Sequence, residues 1–179
     1  MTNLILCGNP ADTSVSAALF SALERYGGFR YAGPGRVFES GPFQEFQLYE
    51  SEKLPEIGLK DGIILFRNRV PAQKPVRIPP GFLCVMEEKN RRAAALVKAS
   101  GNAAVTCGTG PKDTLSVAAL EESSAALSLQ RTLETLDGKT LEPRDFPVKF
   151  TEPRSPHQLL MVCAALLIAG IDSRDGYTV

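Results

Sequence analysis

The sequence predicts a three-layer α/β fold, a largely parallel sheet with helices on both faces and an antiparallel hairpin at one edge. Three observations carry that expectation. An apolar strand runs through a Gly turn into an amphipathic helix at the start of the chain. Gly62-Ile63-Ile64-Leu65-Phe66 and Gly81-Phe82-Leu83-Cys84-Val85-Met86 are continuous apolar runs, typical of strands covered on both faces. After Gly108 the β-α alternation gives way to alternating apolar residues and turn signals.

Taken in order, Asn3 to Cys7 reads as a buried strand, Gly8 to Asp12 as a tight turn, and Thr13 or Ser14 as an N-cap. Val15, Ala18, Leu19, Ala22, Leu23 and Tyr26 then fall on one helical stripe that Gly27-Gly28 ends. Gly27 to Pro42 reads as a loop with a short strand, and Phe43, Phe46, Leu48 and Tyr49 predict a strand over 43–49. Arg67-Asn68-Arg69 closes the next strand, and Val70 to Pro80, with its prolines, reads as an exposed connection. Glu87 to Ser100 predicts a helix and Asn102 to Gly108 a strand. Alternation at Leu115, Val117 and Ala119, at Leu127 and Leu129, and at Phe146, Val148 and Phe150, with Asp137-Gly138 as a two-residue turn, predicts antiparallel edge strands. A helix from His157 to Ala169, apolar nearly all round and closed by Gly170, is expected to be buried.

The 179 residues fit one domain spanning 1–179, long enough to bury a full core. Twenty Lys+Arg balance twenty Asp+Glu, so the chain lacks the broad basic field that nucleic acid or an anionic membrane surface would need. Cys7, Cys84, Cys107 and Cys163 each sit inside an apolar run with no C-x-x-C pairing. They read as buried thiols, which favours a reducing cytoplasm. Leu159 to Ile171 is too short to span a bilayer, and no signal segment is expected at the amino terminus.

Strand, Gly turn and helix with free N-terminal amides is the geometry that seats phosphates in nucleotide-binding α/β proteins. Here the Lys that precedes Ser/Thr in G-x-x-x-x-G-K-[ST] is Asp12, and the second Gly is Ala11. Gly108 to Thr114 resembles a phosphate loop superficially but leads into a strand, which offers no helix N-terminus. Gly8, Asn9, Asp12, Thr13, Ser14, Glu45 and Asn68 are the candidate ligand-binding residues. Asp12 can hold a cation or simply complement the helix dipole, and Asn9 and Asn68 can be turn formers alone. His157 reads as a helix-start residue, since no Ser, Cys or carboxylate is marked as its partner. No metal-ligand cluster is present in the sequence.

The order of elements resembles the central, ATP-binding domain of the Mur ligase family, whose members join amino acids to peptidoglycan precursors. The residues that carry the resemblance are Leu4 to Tyr26 for the opening strand, loop and helix, and Glu45 followed by Ile63 to Asn68 for a catalytic Glu and a strand ending in Thr-Asn. Pro79 to Met86, Asn90 to Cys107, Leu127 to Phe150 and Leu159 to Ile171 are similar to the family's later strand, α-β unit, hairpin and Ala-rich helix ending in Gly-Ile. The resemblance implies a phosphate-loop-like, Mur-ligase-like topology.

The departures fall on the chemistry. Asp12 stands for the loop Lys, the His and Asp after Thr-Asn are absent from Arg69 to Gln73, and the adenine-side Asn falls at Glu87. Arg154-Ser155 stands where the family has His-Asn, the segment with the modified metal-binding Lys is largely missing, and the two flanking domains do not fit in 179 residues. Phosphoryl transfer depends on positioned cations around the transferred group. The expectation is therefore a non-catalytic relative with no cofactor, ATP and Mg not being favoured, that acts through a protein partner or as a homo-oligomer, in bacterial envelope metabolism or its control. The alternatives are a small-molecule or nucleotide-binding protein using the cleft at the strand C-termini, or an enzyme of unrecognised chemistry. An apolar surface patch would favour the first reading, and a polar cleft around Gly8, Thr13 and Glu45 the second.

Overall fold

The computed structural model describes residues 1–179. Its centre is β1 (Thr2–Cys7), flanked in parallel by β4 (Phe46–Ser51) and β5 (Asp61–Phe66). From β5 the sheet continues in parallel through β6 (Gly81–Glu87), β7 (Ala104–Gly108) and β8 (Leu115–Leu120). It then turns antiparallel through β9 (Ser124–Leu129) and β12 (Arg144–Lys149) and ends on the short β13 (Tyr177–Thr178). On the other side β2 (Phe29–Gly33) lies parallel to β4, and β3 (Arg36–Ser40) closes that edge antiparallel. Eleven strands thus form one mixed sheet.

The pleat separates two cores. Leu4 and Leu6 of β1, Ile63 and Leu65 of β5 and Val85 of β6 face α1 (Ser14–Arg25) and α3 (Pro156–Ile168). Ile5, Cys7, Ile64, Phe66, Cys84 and Met86 face α2 (Arg91–Ser100) together with Leu54, Val70 and Ile78 of the connections. This alternation makes every central strand apolar on both faces and gives the three-layer α/β arrangement. The last helix buries all of Leu159 to Ile168, so its lack of a polar face follows from its position. Ser155 starts it with a capping box shared with Gln158, and the left-handed Gly170 (φ 81°) stops it. All four cysteines are buried thiols; burial pushes Cys7 and Cys84 up to about 12. No helix is long and apolar enough to cross a membrane.

Four sequence expectations are corrected. Gly27 to Pro42 is a hairpin, β2–β3, because Phe29, Tyr31 and Phe38 pack with Phe20 and with one another at centroid distances of 5.0–5.8 Å and Gly35 (φ 81°) makes the turn. The strand placed at 43–49 begins only at Phe46, leaving Phe43 exposed. The helix placed at 87–100 starts after Asn90, whose side chain accepts from Ala93 N at 3.1 Å; Glu87 is the last residue of β6. Asp137-Gly138 does not join the long edge strands. It lies in the turn of a separate ribbon, β10 (Leu133–Glu134) with β11 (Thr140–Leu141).

Candidate functional site

Parallel strands point their carboxyl ends at one rim of the sheet, and α1, α2 and α3 all present their N-termini there. Gln158 Nε2 donates to the Ser14 carbonyl at 2.9 Å, which fixes the starts of α1 and α3 side by side. The structure gathers Gly8, Asn9, Asp12, Thr13 and Ser14 in the β1–α1 loop at this rim, with exposed Asn68 at the end of β5. Glu45 is not among them. It precedes β4 at the opposite end of the sheet, where its carbonyl accepts from Thr2 N and its side chain lies over Gly27. The carboxylate that β4 delivers to the loop is Glu50, which the parallel register sets opposite Leu6.

Glu50 pairs with Arg67, and both side chains are almost wholly withdrawn from water, at 4% and 1% exposure. Tyr31 donates its hydroxyl to the other carboxylate oxygen of Glu50. Burial, and then the Glu50 carboxylate, push the Tyr31 hydroxyl up from its ordinary value. Arg67 also reaches the Gly8 carbonyl through Nη1 at 3.5 Å, and its own carbonyl accepts from Asn90 Nδ2 at 2.8 Å. Its Nε has no partner. Gly8 (φ 134°) has to be glycine here, because a Cβ would stand 2.7 Å from Arg67 Cβ.

Five amides of the loop, all but that of Thr13 among the residues that have an N–H, are already engaged. Gly8 N donates to the Ser51 carbonyl at 3.0 Å, Asn9 N to Arg69 at 3.1 Å and Asp12 N to Asn9 at 3.1 Å. Ala11 N donates to Asn9 Oδ1 at 3.0 Å and Ser14 N to Asp12 Oδ1 at 3.2 Å. The Ser14 hydroxyl adds a 2.6 Å bond to the same Asp12 oxygen. Asp12 thus seats its own carboxylate on the N-terminus of α1, while Thr13, the residue before the helix, makes no side-chain cap. The Ser14 hydroxyl above all, then its amide and the charges of Arg67 and His157, hold Asp12 below the usual carboxylate range against a smaller opposing effect of burial.

A second feature of the rim went unread in the sequence. A cleft of about 330 Å³ opens at the ends of β6 and β7, walled by Glu87, Glu88, Lys89, Thr109, Asp113 and His157 among others. His157 Nδ1 lies 2.7 Å from Glu87 Oε1, so the residue that looked partnerless in the chain has a carboxylate beside it. It is a close approach and not a hydrogen bond, because neither ring nitrogen has a hydrogen-bond partner. Asp113 is 2% exposed; its Oδ2 accepts from Gly110 N at 2.9 Å and its Oδ1 has no partner. Gly108 permits this, since a Cβ there would stand 2.4 Å from Asp113 Oδ2. No group of three or more His, Cys, Asp or Glu side chains is close enough together to hold a metal ion.

No protein-family model matches the sequence, and no curated protein does. Among solved structures the chain is similar to a UDP-N-acetylmuramoyl-L-alanyl-D-glutamate–2,6-diaminopimelate ligase, with a TM-score of 0.60 at 12% identity. The match covers 98% of this chain and 45% of that ligase, so the chain spans less than half the length of the protein it matches. At that identity the likeness shows a shared fold, the Mur-ligase-like α/β arrangement.

Proposed function

We propose that this chain is a non-catalytic relative of the Mur ligase central domain, which acts by binding at the rim of the sheet and not by phosphoryl transfer. The observation that carries the reading is the occupancy of the β1–α1 loop by the protein's own groups. A phosphate loop binds because several backbone amides and a Lys point into an empty cradle. Here five amides donate within the protein, Asp12 takes the helix N-terminus, and the cation beneath the loop, Arg67, is neutralised by Glu50. An incoming triphosphate meets a carboxylate where it needs a cation.

Two further features support binding through the rim cleft over a broad apolar docking surface. Of the four exposed large apolar residues, Val37 and Leu120 lie on β3 and β8, well separated in the sheet, and Met1 and Phe43 precede β1 and β4 at the end away from the rim. The polar cleft at β6 and β7 sits where α/β sheets place their ligands, at the carboxyl ends of parallel strands. The proposed setting is envelope metabolism or its control, a reading that the fold shared with the ligase supports. Isothermal titration of Mg-ATP into the full chain tests the reading. No saturable heat is expected; saturable Mg-ATP binding, with or without turnover, would overturn it.

A further inference from the structure

We propose that β3 pairs antiparallel with β3 of a second copy of this chain, joining two sheets across a two-fold axis, an inference independent of what the rim binds. The two edges of the sheet differ. At one end lies β13, which has only Tyr177 and Thr178 to offer. At the other, β3 runs from Arg36 to Ser40 in unbroken register with β2, with no bulge, proline or lysine to discourage a further strand. Gly33 and Arg36 flank the Pro34-Gly35 turn and exchange backbone hydrogen bonds; by alternation Tyr31 with Phe38 and Phe29 with Ser40 do the same. The N–H and C=O groups of Val37 and Glu39 therefore point away from β2, and no other segment bonds them. Val37 is 79% exposed, the most exposed large apolar side chain of the protein.

The strand is complementary to itself. Antiparallel pairing has to set the outward groups of Val37 or Glu39 against those of the second copy. Glu39 against Glu39 brings like charges together, and Val37 against Val37 leaves the end of the strand unpaired. Val37 against Glu39 pairs the whole of Arg36 to Ser40 and gives every outward N–H and C=O a partner. In that register the half-buried Phe38 faces Phe38 of the partner subunit across the axis. Arg36 stacks on Phe20, Tyr31 and Phe38 with no carboxylate of its own. It comes to face Ser40 of the partner subunit, and the Ser40 hydroxyl donates to Glu24 at 2.7 Å, so each copy brings a cation to the other's carboxylate. Val37 comes beside the stem of Glu39, whose carboxylate Arg30 already holds at 3.4 Å, so no charge is left unpaired. A strand from an unrelated protein would satisfy the backbone alone; these side-chain matches single out a second copy.

Sedimentation equilibrium of the full chain is the test. A concentration-dependent species of twice the 19.3 kDa chain mass is expected. Its association should weaken about tenfold or more in Val37→Pro, which removes an outward donor and leaves the β2–β3 ladder whole, and in Val37→Glu, which sets a carboxylate against Glu39 of the partner subunit. Circular dichroism checks that each variant is folded, and the two act by different means, so either one decides the matter if the other unfolds. Under mild oxidation Phe38→Cys should cross-link, because facing residues of a pair without hydrogen bonds lie about 4.5 Å apart at Cα, within disulfide reach. Val37→Cys should not, being offset from its own counterpart. A wild type monomeric up to about 1 mM, a dimer undiminished in a folded Val37 variant, or a cross-link through Val37→Cys in place of Phe38→Cys would each overturn the proposal.

Discussion

Glu50 of β4 and Arg67, the residue after β5, come from either side of β1 and meet as an ion pair beneath the backbone of Gly8, out of contact with water. Removing one partner of such a pair leaves an uncompensated buried charge, which costs about 3–5 kcal/mol, whereas replacing both by apolar groups is often neutral. Arg67→Met and Glu50→Leu should each destabilise strongly in urea denaturation, and the double variant should lose less than the worse single one. Additive losses would show that the two charges do not depend on each other.

The same relationship fixes Gly8. With φ at 134° and 2.7 Å between a would-be Cβ and Arg67, Gly8→Ala combines backbone strain with overpacking. A loss of about 2 kcal/mol or more is expected from the urea midpoint. Gly35, which has open space around it, should tolerate Ala better, limited only by its φ of 81°.

Leu167 is 1% exposed in the helix sandwiched against the sheet. Leu167→Asp buries an unpaired charge at a cost of several kcal/mol, against a total stability of roughly 5–15 kcal/mol. Circular dichroism of the purified variant should show an unfolded chain; a folded monomer would contradict the placement of α3.

Asp12 gives the protein a pH signature. Its folded value is lowered, first by the Ser14 hydroxyl, so the stability it contributes is present above the unfolded carboxylate value of about 4 and is lost as pH falls through the folded value. Because the group is exposed, solvent screening keeps its worth below about 1 kcal/mol. Asp12→Asn should therefore melt slightly lower than the wild type at pH 7, and the gap should close as pH falls through the folded Asp12 value. A gap that is absent at pH 7 and opens in acid would reverse the sign.

What the sequence reveals follows from the range over which its signals act. The β1–α1 unit, β5, β6 and α3 are legible because periodicity and caps are local, as the Leu4–Leu6 strand and the Leu159–Ile168 helix show. The β2–β3 hairpin is hidden because Gly and Pro mask the alternation of Phe29, Tyr31 and Phe38. Arg67 reads as a turn charge, since its burial depends on Glu50 and Gly8 from distant segments. Glu45 and Glu50 are near neighbours in the chain, yet the register of β4 on β1 sends them to opposite ends of the sheet. The His157–Glu87 contact joins α3 to β6, a juxtaposition that only the fold creates.

The central claim is that the loop's anion seats are filled from within, and thermal unfolding with and without millimolar Mg-ATP tests it most directly. A ligand at 100 times its dissociation constant stabilises by about 2.7 kcal/mol, which would raise the midpoint of a domain this size by roughly 5–10 °C. An unchanged midpoint is the predicted result. A rise of several degrees that disappears in Thr13→Ala would contradict the account, because it would mean that the amides held by Asp12, Asn9 and their neighbours open to receive a nucleotide.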